Sequence, residues 1–218
     1  MARRTTEDRL REEYFSLLPC IRRTTEELET EVRYLLFPVV RELERHERVV
    51  IRCRVKECES AIGALRRRQE SGTFNDELTN LSLTTLNDLA GLRVLAFPRH
   101  RLLQCDALIR KRFMAWKSDP VPAAHESTQI LAHKYHGLCS AHASVRSEIQ
   151  ILSMLIGLFW EVEHGALYKP APRLSRIDGS LEMRARNAEV IRALCAFEEQ
   201  FEVLARPVES AAQECVTH

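Results

Sequence analysis

The sequence contains no apolar run long enough to cross a membrane. Its longest, around Met154 to Trp160, falls far short of the roughly 20 residues that a spanning helix needs. No membrane partner is expected. The opening MARRTTEDRLREEYF has no apolar stretch behind its basic residues, so no secretory signal is expected and the expected compartment is the cytoplasm. Seven cysteines are scattered (20, 53, 58, 105, 139, 195, 215) without a CxxC pair, which argues against a disulfide framework or a zinc ribbon and for reduced thiols. Net charge is almost absent as well. The 32 Lys and Arg stand against 31 Asp and Glu, which excludes a polycation that holds nucleic acid by bulk charge. Internal repeats and low-complexity tracts are missing. Lysine is scarce: 27 of the 32 basic residues are Arg and 5 are Lys. Arg is a fixed cation with a fork of donors suited to phosphate oxygens, and equally suited to ion pairs with Glu on helix surfaces.

What is present is a chain of 218 residues and 25.2 kDa, 45% hydrophobic, enough for one ordinary domain with a core. Residues 6–47 carry an apolar stripe at three- and four-residue steps (Leu28, Val32, Leu35, Val39, Leu43) and read as helix, with breaks expected at Pro19 and Pro38. Residues 49–56 are β-branched and read as a strand, 57–69 as a helix stopped by Ser71-Gly72, and 91–97 as a second strand. A helix follows over 99–113, then a Pro-bearing connection over 120–129 and an irregular His-rich stretch over 133–145. Ser147 to Ile151 alternates polar with apolar, Met154 to Tyr168 is an apolar helix, and Leu181 to Leu204 is a last amphipathic one. The order predicts an α+β or α/β fold, a small mixed sheet covered by helices.

Four segments place polar residues where folding alone does not ask for them. Arg54-x-Lys56-x-x-x-Ser60 lies at a strand-to-helix junction, where basic side chains and backbone N–H groups can hold a phosphate; the alternative is a solvated basic face. In Asp88-Leu89-Ala90-Gly91-Leu92-Arg93, an acid sits just ahead of a strand, either as a magnesium ligand or as a turn residue. Glu148 and Gln150 share one face of a strand whose other face is Ile149 and Ile151, either a metal or general-base arrangement or the solvent face of an edge strand. In Trp160-Glu161-Val162-Glu163-His164-Gly165-Ala166-Leu167-Tyr168-Lys169, His164 and Tyr168 share a helix face; a lone His is weak as a metal site and packing is the simpler role.

Taken in order, RxKxxxS, DLAGLR, a Tyr-bearing loop, EIQI and WEVEHGALYK resemble the synthetase domain of the RelA/SpoT family, over about Val49 to Lys169. Enzymes of that family move pyrophosphate from ATP to the 3′-hydroxyl of GDP or GTP, making (p)ppGpp. The resemblance implies a nucleotidyltransferase-like mixed sheet flanked by helices over 49–170, with helical extensions over 1–48 and 171–218. It also implies that Arg54, Lys56 and Ser60 hold the ATP phosphates, with Arg93 on the same nucleotide. Asp88 and Glu148 would hold Mg²⁺, with Glu148 as general base. Tyr135, in HKYHGLC, would stack on the acceptor guanine, and His136, Gln150 and Lys169 would contact the acceptor nucleotide.

The chain departs from the family pattern at several points. Ala64 stands where a Lys is usual, with Arg66 to Arg68 nearby as substitutes. In the acceptor loop Lys134 replaces Gly, His136 replaces Arg and Cys139 replaces His, with His142 close by, and Gly165 replaces an Asp. These changes fall mostly on the acceptor side. The implied partners are ATP and GDP or GTP. A toxin-type member that pyrophosphorylates the tRNA 3′ end is one alternative, with residues 99–117 (six basic residues against Asp106) as its phosphate-binding face. A non-catalytic nucleotide-binding regulator is another. A second copy of the chain, as a homo-oligomer, and an antitoxin are further candidate partners.

Overall fold

A computed structural model describes residues 5–72, 80–122, 130–139, 144–163 and 181–216. The chain begins with helix α1 (Thr6–Arg41), closed at its start by a capping box between Thr5 and Asp8. Both Pro19 and Pro38 lie inside this one helix, so the expected break into two pieces does not occur. A helical proline costs about 3 kcal/mol. The buried stripe of Leu10, Tyr14, Ile21, Leu28, Val32, Leu36 and Val39 runs past both prolines and outweighs that cost, at roughly 1.5–3 kcal/mol per fully buried side chain.

Next come β1 (Arg48–Val55), α2 (Cys58–Glu70), a short 3₁₀ turn (Leu83–Thr85), β2 (Ala90–Phe97) and α3 (Arg99–Arg112). Strands β3 (Lys117–Pro122), β4 (Ile130–Gly137) and β5 (Ser147–Ser153) complete a five-stranded sheet, and helices α4 (Met154–Glu163) and α5 (Leu181–Val216) follow. The sheet order is β1-β2-β5-β4-β3, with β2 and β5 parallel and the other pairs antiparallel. The fold is α+β with a mixed sheet flanked by helices, as the sequence predicts.

Two stretches correct the sequence reading. The Pro-bearing segment begins as β3, and the His-rich segment begins as β4. Strand β3 is an edge strand and almost wholly exposed, so it tolerates Pro120 and Pro122 and needs no apolar alternation. Strand β4 carries Lys134 and His136 on one face, which hides the apolar period of the other.

One face of the sheet (Leu92, Val94, Ile149, Ile151, Tyr135) packs on Leu28, Val32 and Leu36 of α1 and on Cys105 and Ile109 of α3. On the opposite face, Leu95, Ala132 and Leu152 meet Ile156 of α4 and Cys195 of α5 at one end. A Cβ at Gly157 would collide with the Leu95 side chain, so α4 seats directly on β2. Among the described residues, none covers the other end of that face.

Candidate active site

Strand register builds the open end. Arg54, Gly91, Glu148, His136 and Lys117 are successive partners across β1, β2, β5, β4 and β3. Two residues along each strand, Arg52, Arg93, Gln150, Lys134 and Asp119 form a second row. Side chains alternate along a strand, so both rows stand on the same face. The third row on this face, Val50, Leu95, Leu152, Ala132 and Val121, is the apolar one against α4 and α5.

Arg54, Gly91 and Glu148 of the first row and Arg52, Arg93, Gln150 and Lys134 of the second line a cavity of about 770 Å³, walled by Ser60 of α2 and by Trp160, Glu161 and Glu163 of α4. That volume is in the range of small-molecule sites. A chain of polar contacts crosses the floor. Both Glu161 oxygens lie near Arg52 Nη1, at 2.6 and 2.7 Å, and Glu161 Oε1 lies 3.5 Å from Arg93 Nη1. Arg93 Nε donates to Gln150 Oε1 at 3.1 Å, and Gln150 Nε2 donates to Glu148 Oε1 at 2.5 Å. His136 Nδ1 lies 3.6 Å from Glu148 Oε2. Burial pushes the Arg93 guanidinium down from its usual value, with Glu161 opposing. Burial likewise raises the Glu163 carboxyl, which accepts a hydrogen bond from Asn187 Nδ2 at 2.5 Å.

Of the residues expected at the site, Arg54, Ser60, Arg93, Glu148 and Gln150 line the cavity, and His136 stands beside Glu148 in the same row. Glu148 lies on a central strand between β2 and β4, which removes the edge-strand alternative. Lys56 and Asp88 do not line the cavity. They lie just past the end of β1 and just before β2, where Lys56 N–H donates to Leu89 O at 3.0 Å, and their side chains form an ion pair with each other. Lys56, only 7% exposed, is therefore engaged with Asp88 rather than presented to a phosphate.

Tyr135 is the clear correction. It sits mid-strand on the face opposite Glu148, 1% exposed, with its hydroxyl donating to Asp106 Oδ1 at 2.7 Å, so neither face of its ring is open to a base. Alternation in β4 sends its neighbours Lys134 and His136 to the open face instead. Ala64 is buried in the α1–α2 core, Arg66 is paired with Glu7, and none of Arg66, Arg67 and Arg68 lines the cavity. Lys169, His164, Tyr168 and His142 lie outside the described residues.

Sequence reasoning missed Arg52, Lys134 and Glu161. Arg52 was signalled by its two-residue spacing from Arg54, which puts both on one strand face. Glu161 had no such signal, since its place depends on how α4 docks. Three of the six basic residues over 99–117 are ion-paired. Arg101 is buried against Glu47 at 2.6 Å, Arg110 pairs with Asp106 at 2.7 Å, and Arg112 pairs with Glu31.

The donor set fits a magnesium ion in one respect. Asp88 Oδ1 is buried without a hydrogen-bond partner among the described residues, while Lys56 engages Oδ2. No cluster of three or more His, Cys, Asp or Glu that could hold a metal occurs among those residues. An ion there would depend on one or two carboxylates plus phosphate and water oxygens, which is how magnesium binds beside nucleotides.

No known protein-family model matches the sequence, and no curated protein matches it. Solved structures do. Small alarmone synthetase 1 from Bacillus subtilis bound to its product pppGpp is 17% identical, with a TM-score of 0.67, covering 90% of this chain and 98% of that one. This chain has the small alarmone synthetase fold. The same Bacillus protein bound to AMPCPP matches at 16% identity and a TM-score of 0.61, over 91% of this chain and 99% of that one. A GTP pyrophosphokinase family protein from Streptococcus pneumoniae matches at 17% and 0.63, over 91% and 96%.

Proposed function

We propose that the chain transfers the β,γ-pyrophosphoryl group of ATP to the 3′-hydroxyl of GDP or GTP. The observation that carries this reading is the placement of Glu148 at the centre of the sheet, on the same cavity floor as Arg52, Arg54 and Arg93. The likeness in fold to a synthetase solved with AMPCPP and with pppGpp supports it.

In this reaction the 3′-oxygen forms a bond to the β-phosphorus of ATP. The bond from that phosphorus to the α,β-bridging oxygen breaks, and AMP leaves with the electron pair. Glu148 takes the hydroxyl proton, and Gln150 holds its carboxylate in place from the adjacent register position. Arg54 and Arg93 neutralise charge on the phosphates. Such positioning and charge stabilisation are most of what phosphoryl-type transfer needs from a protein. Mg²⁺, held through Asp88 Oδ1 and Glu148, would supply further charge neutralisation on the phosphates.

The test is to incubate the protein with γ-labelled ATP and, in turn, GDP, GTP, ATP and deacylated tRNA. Label on a guanine nucleotide supports the reading, and label on tRNA replaces it with the toxin-type one. Nucleotide binding with no transfer to any acceptor replaces it with the non-catalytic one.

A further inference from the structure

The cavity floor brings two arginines side by side. Arg52 and Arg93 are direct cross-strand partners, an arrangement in which like charges repel. Glu161 relieves it. Its carboxylate reaches down from α4 to Arg52 Nη1, at 2.6 and 2.7 Å, and lies 3.5 Å from Arg93 Nη1. Nothing in the local sequence forces this contact, because Glu161 is 109 residues from Arg52 and belongs to a different layer.

We propose that Glu161 is a built-in anion that occupies a phosphate seat between Arg52 and Arg93, and that the polyphosphate of the nucleotide displaces it. The inference rests on reading the cavity as a nucleotide site, and it adds Arg52 to the residues that grip the phosphates. A carboxylate and a phosphate compete for the same donors, and a phosphate brings more charge and a third oxygen to a guanidinium pair. Exchange is feasible because the pair is accessible. The Arg52 side chain is 48% exposed and that of Glu161 38%, and partly exposed ion pairs are weak. The helix itself stays in place. Gly157 seats on Leu95 and Ile156 is buried in the same cluster, so displacement is a rotation of the Glu161 side chain. Arg54, two residues from Arg52 on the same face, adds a third cation to the seat once Glu161 has left.

Calorimetric titration of the whole chain with inorganic tripolyphosphate, and then with ATP, tests this. Glu161→Gln is expected to bind tripolyphosphate on the order of tenfold more tightly than the parent. Most of that gain should vanish when Arg52→Gln is added. In turnover, Glu161→Gln should lower KM for ATP without raising kcat. A purely structural role for Glu161 would weaken binding instead. Thermal melting of the ligand-free variants, with Glu161→Ala as a second substitution, shows that the comparison is between folded proteins. Unchanged or weaker tripolyphosphate binding by folded Glu161→Gln, with the parent still binding ATP, overturns this inference alone. If neither parent nor variant binds tripolyphosphate or ATP, the inference and the proposed function fall together.

Discussion

Arg93 and Gln150 are cross-strand partners in the parallel pair, and the Arg93 guanidinium donates to the Gln150 amide oxygen at 3.1 Å. The amide is thereby oriented with its nitrogen toward Glu148, to which it donates at 2.5 Å. The Arg93 cation is thus coupled to the Glu148 carboxylate through one side chain. Gln150→Leu keeps the size of that side chain and removes both hydrogen bonds. It is expected to lower the transfer rate on the order of 10- to 100-fold, as losses of a single positioning contact do. Urea unfolding should change little, because Gln150 is only partly buried. Steady-state rates beside an unfolding curve check both halves of the expectation.

The Lys56–Asp88 pair changes which substitution is informative at Asp88. Lys56 is 7% exposed, so Asp88→Ala would leave a buried ammonium without its counter-charge. Removing one partner of such a pair costs roughly 3 kcal/mol when both are fully buried, and somewhat less here because the Asp88 side chain is 21% exposed. Loss of activity in that variant would mix misfolding with chemistry. Asp88→Asn keeps an acceptor for Lys56. It still removes the counter-charge, so it is expected to melt below the parent but above Asp88→Ala, and it and Glu148→Gln are expected to abolish transfer. Retained turnover in both would remove these two residues from the reaction.

The sequence made the sheet centre legible and its periphery obscure, for a physical reason. β2 and β5 are buried on the helix-packed face, so their apolar residues alternate or run together, and Glu148 and Gln150 stand out against Ile149 and Ile151. At β4 the face opposite the helix-packed one carries Lys134 and His136, and these polar residues erase the strand's apolar signature. A segment read as a loop then carried Tyr135 into the site on paper, while strand alternation turns it to the core. Glu161 illustrates the other limit. A residue whose role depends on helix docking has no periodic signal, and only the seat of Gly157 on Leu95 explains where it ends up.

Glu198 makes stability depend on pH. Its carboxyl, 2% exposed at the junction of α5 with β5, is raised by burial, with the hydrogen bond from the Ser153 hydroxyl opposing the rise. The nearby charges that act on it are Arg99, which lowers it, and Glu202, which raises it. A raised folded-state value means that the folded chain holds this proton more tightly than the unfolded chain. The site's contribution is therefore fully present below the unfolded carboxyl value of about 4.3, and is lost as pH rises through the folded value. Glu198→Gln, which can still accept from Ser153, removes that loss. The variant should be more stable than the parent near neutral pH, on the order of 1 kcal/mol, and the difference should close toward pH 4. Urea unfolding at a series of pH values reads the slope directly.

Tyr135 offers the sharpest separation of core from site. Its hydroxyl donates to Asp106 Oδ1 at 2.7 Å, and Arg110 Nη2 holds the other carboxylate oxygen at 2.7 Å. Asp106 is 4% exposed, so losing one donor leaves a buried oxygen poorly satisfied, at a cost of about 1–3 kcal/mol. Tyr135→Phe keeps the ring, and with it the packing against Ile149 and Ile151. If the ring stacked on the acceptor base, this substitution would be nearly silent in stability and the aromatic contact would survive, whereas Tyr135→Leu would raise the acceptor KM severalfold. The buried placement implies the reverse. Tyr135→Phe should lower unfolding free energy while leaving KM for GDP and GTP unchanged. Tyr135→Leu should lose further stability and still leave KM unchanged in the fraction that folds. A raised acceptor KM in Tyr135→Leu at parental stability would return the ring to the site.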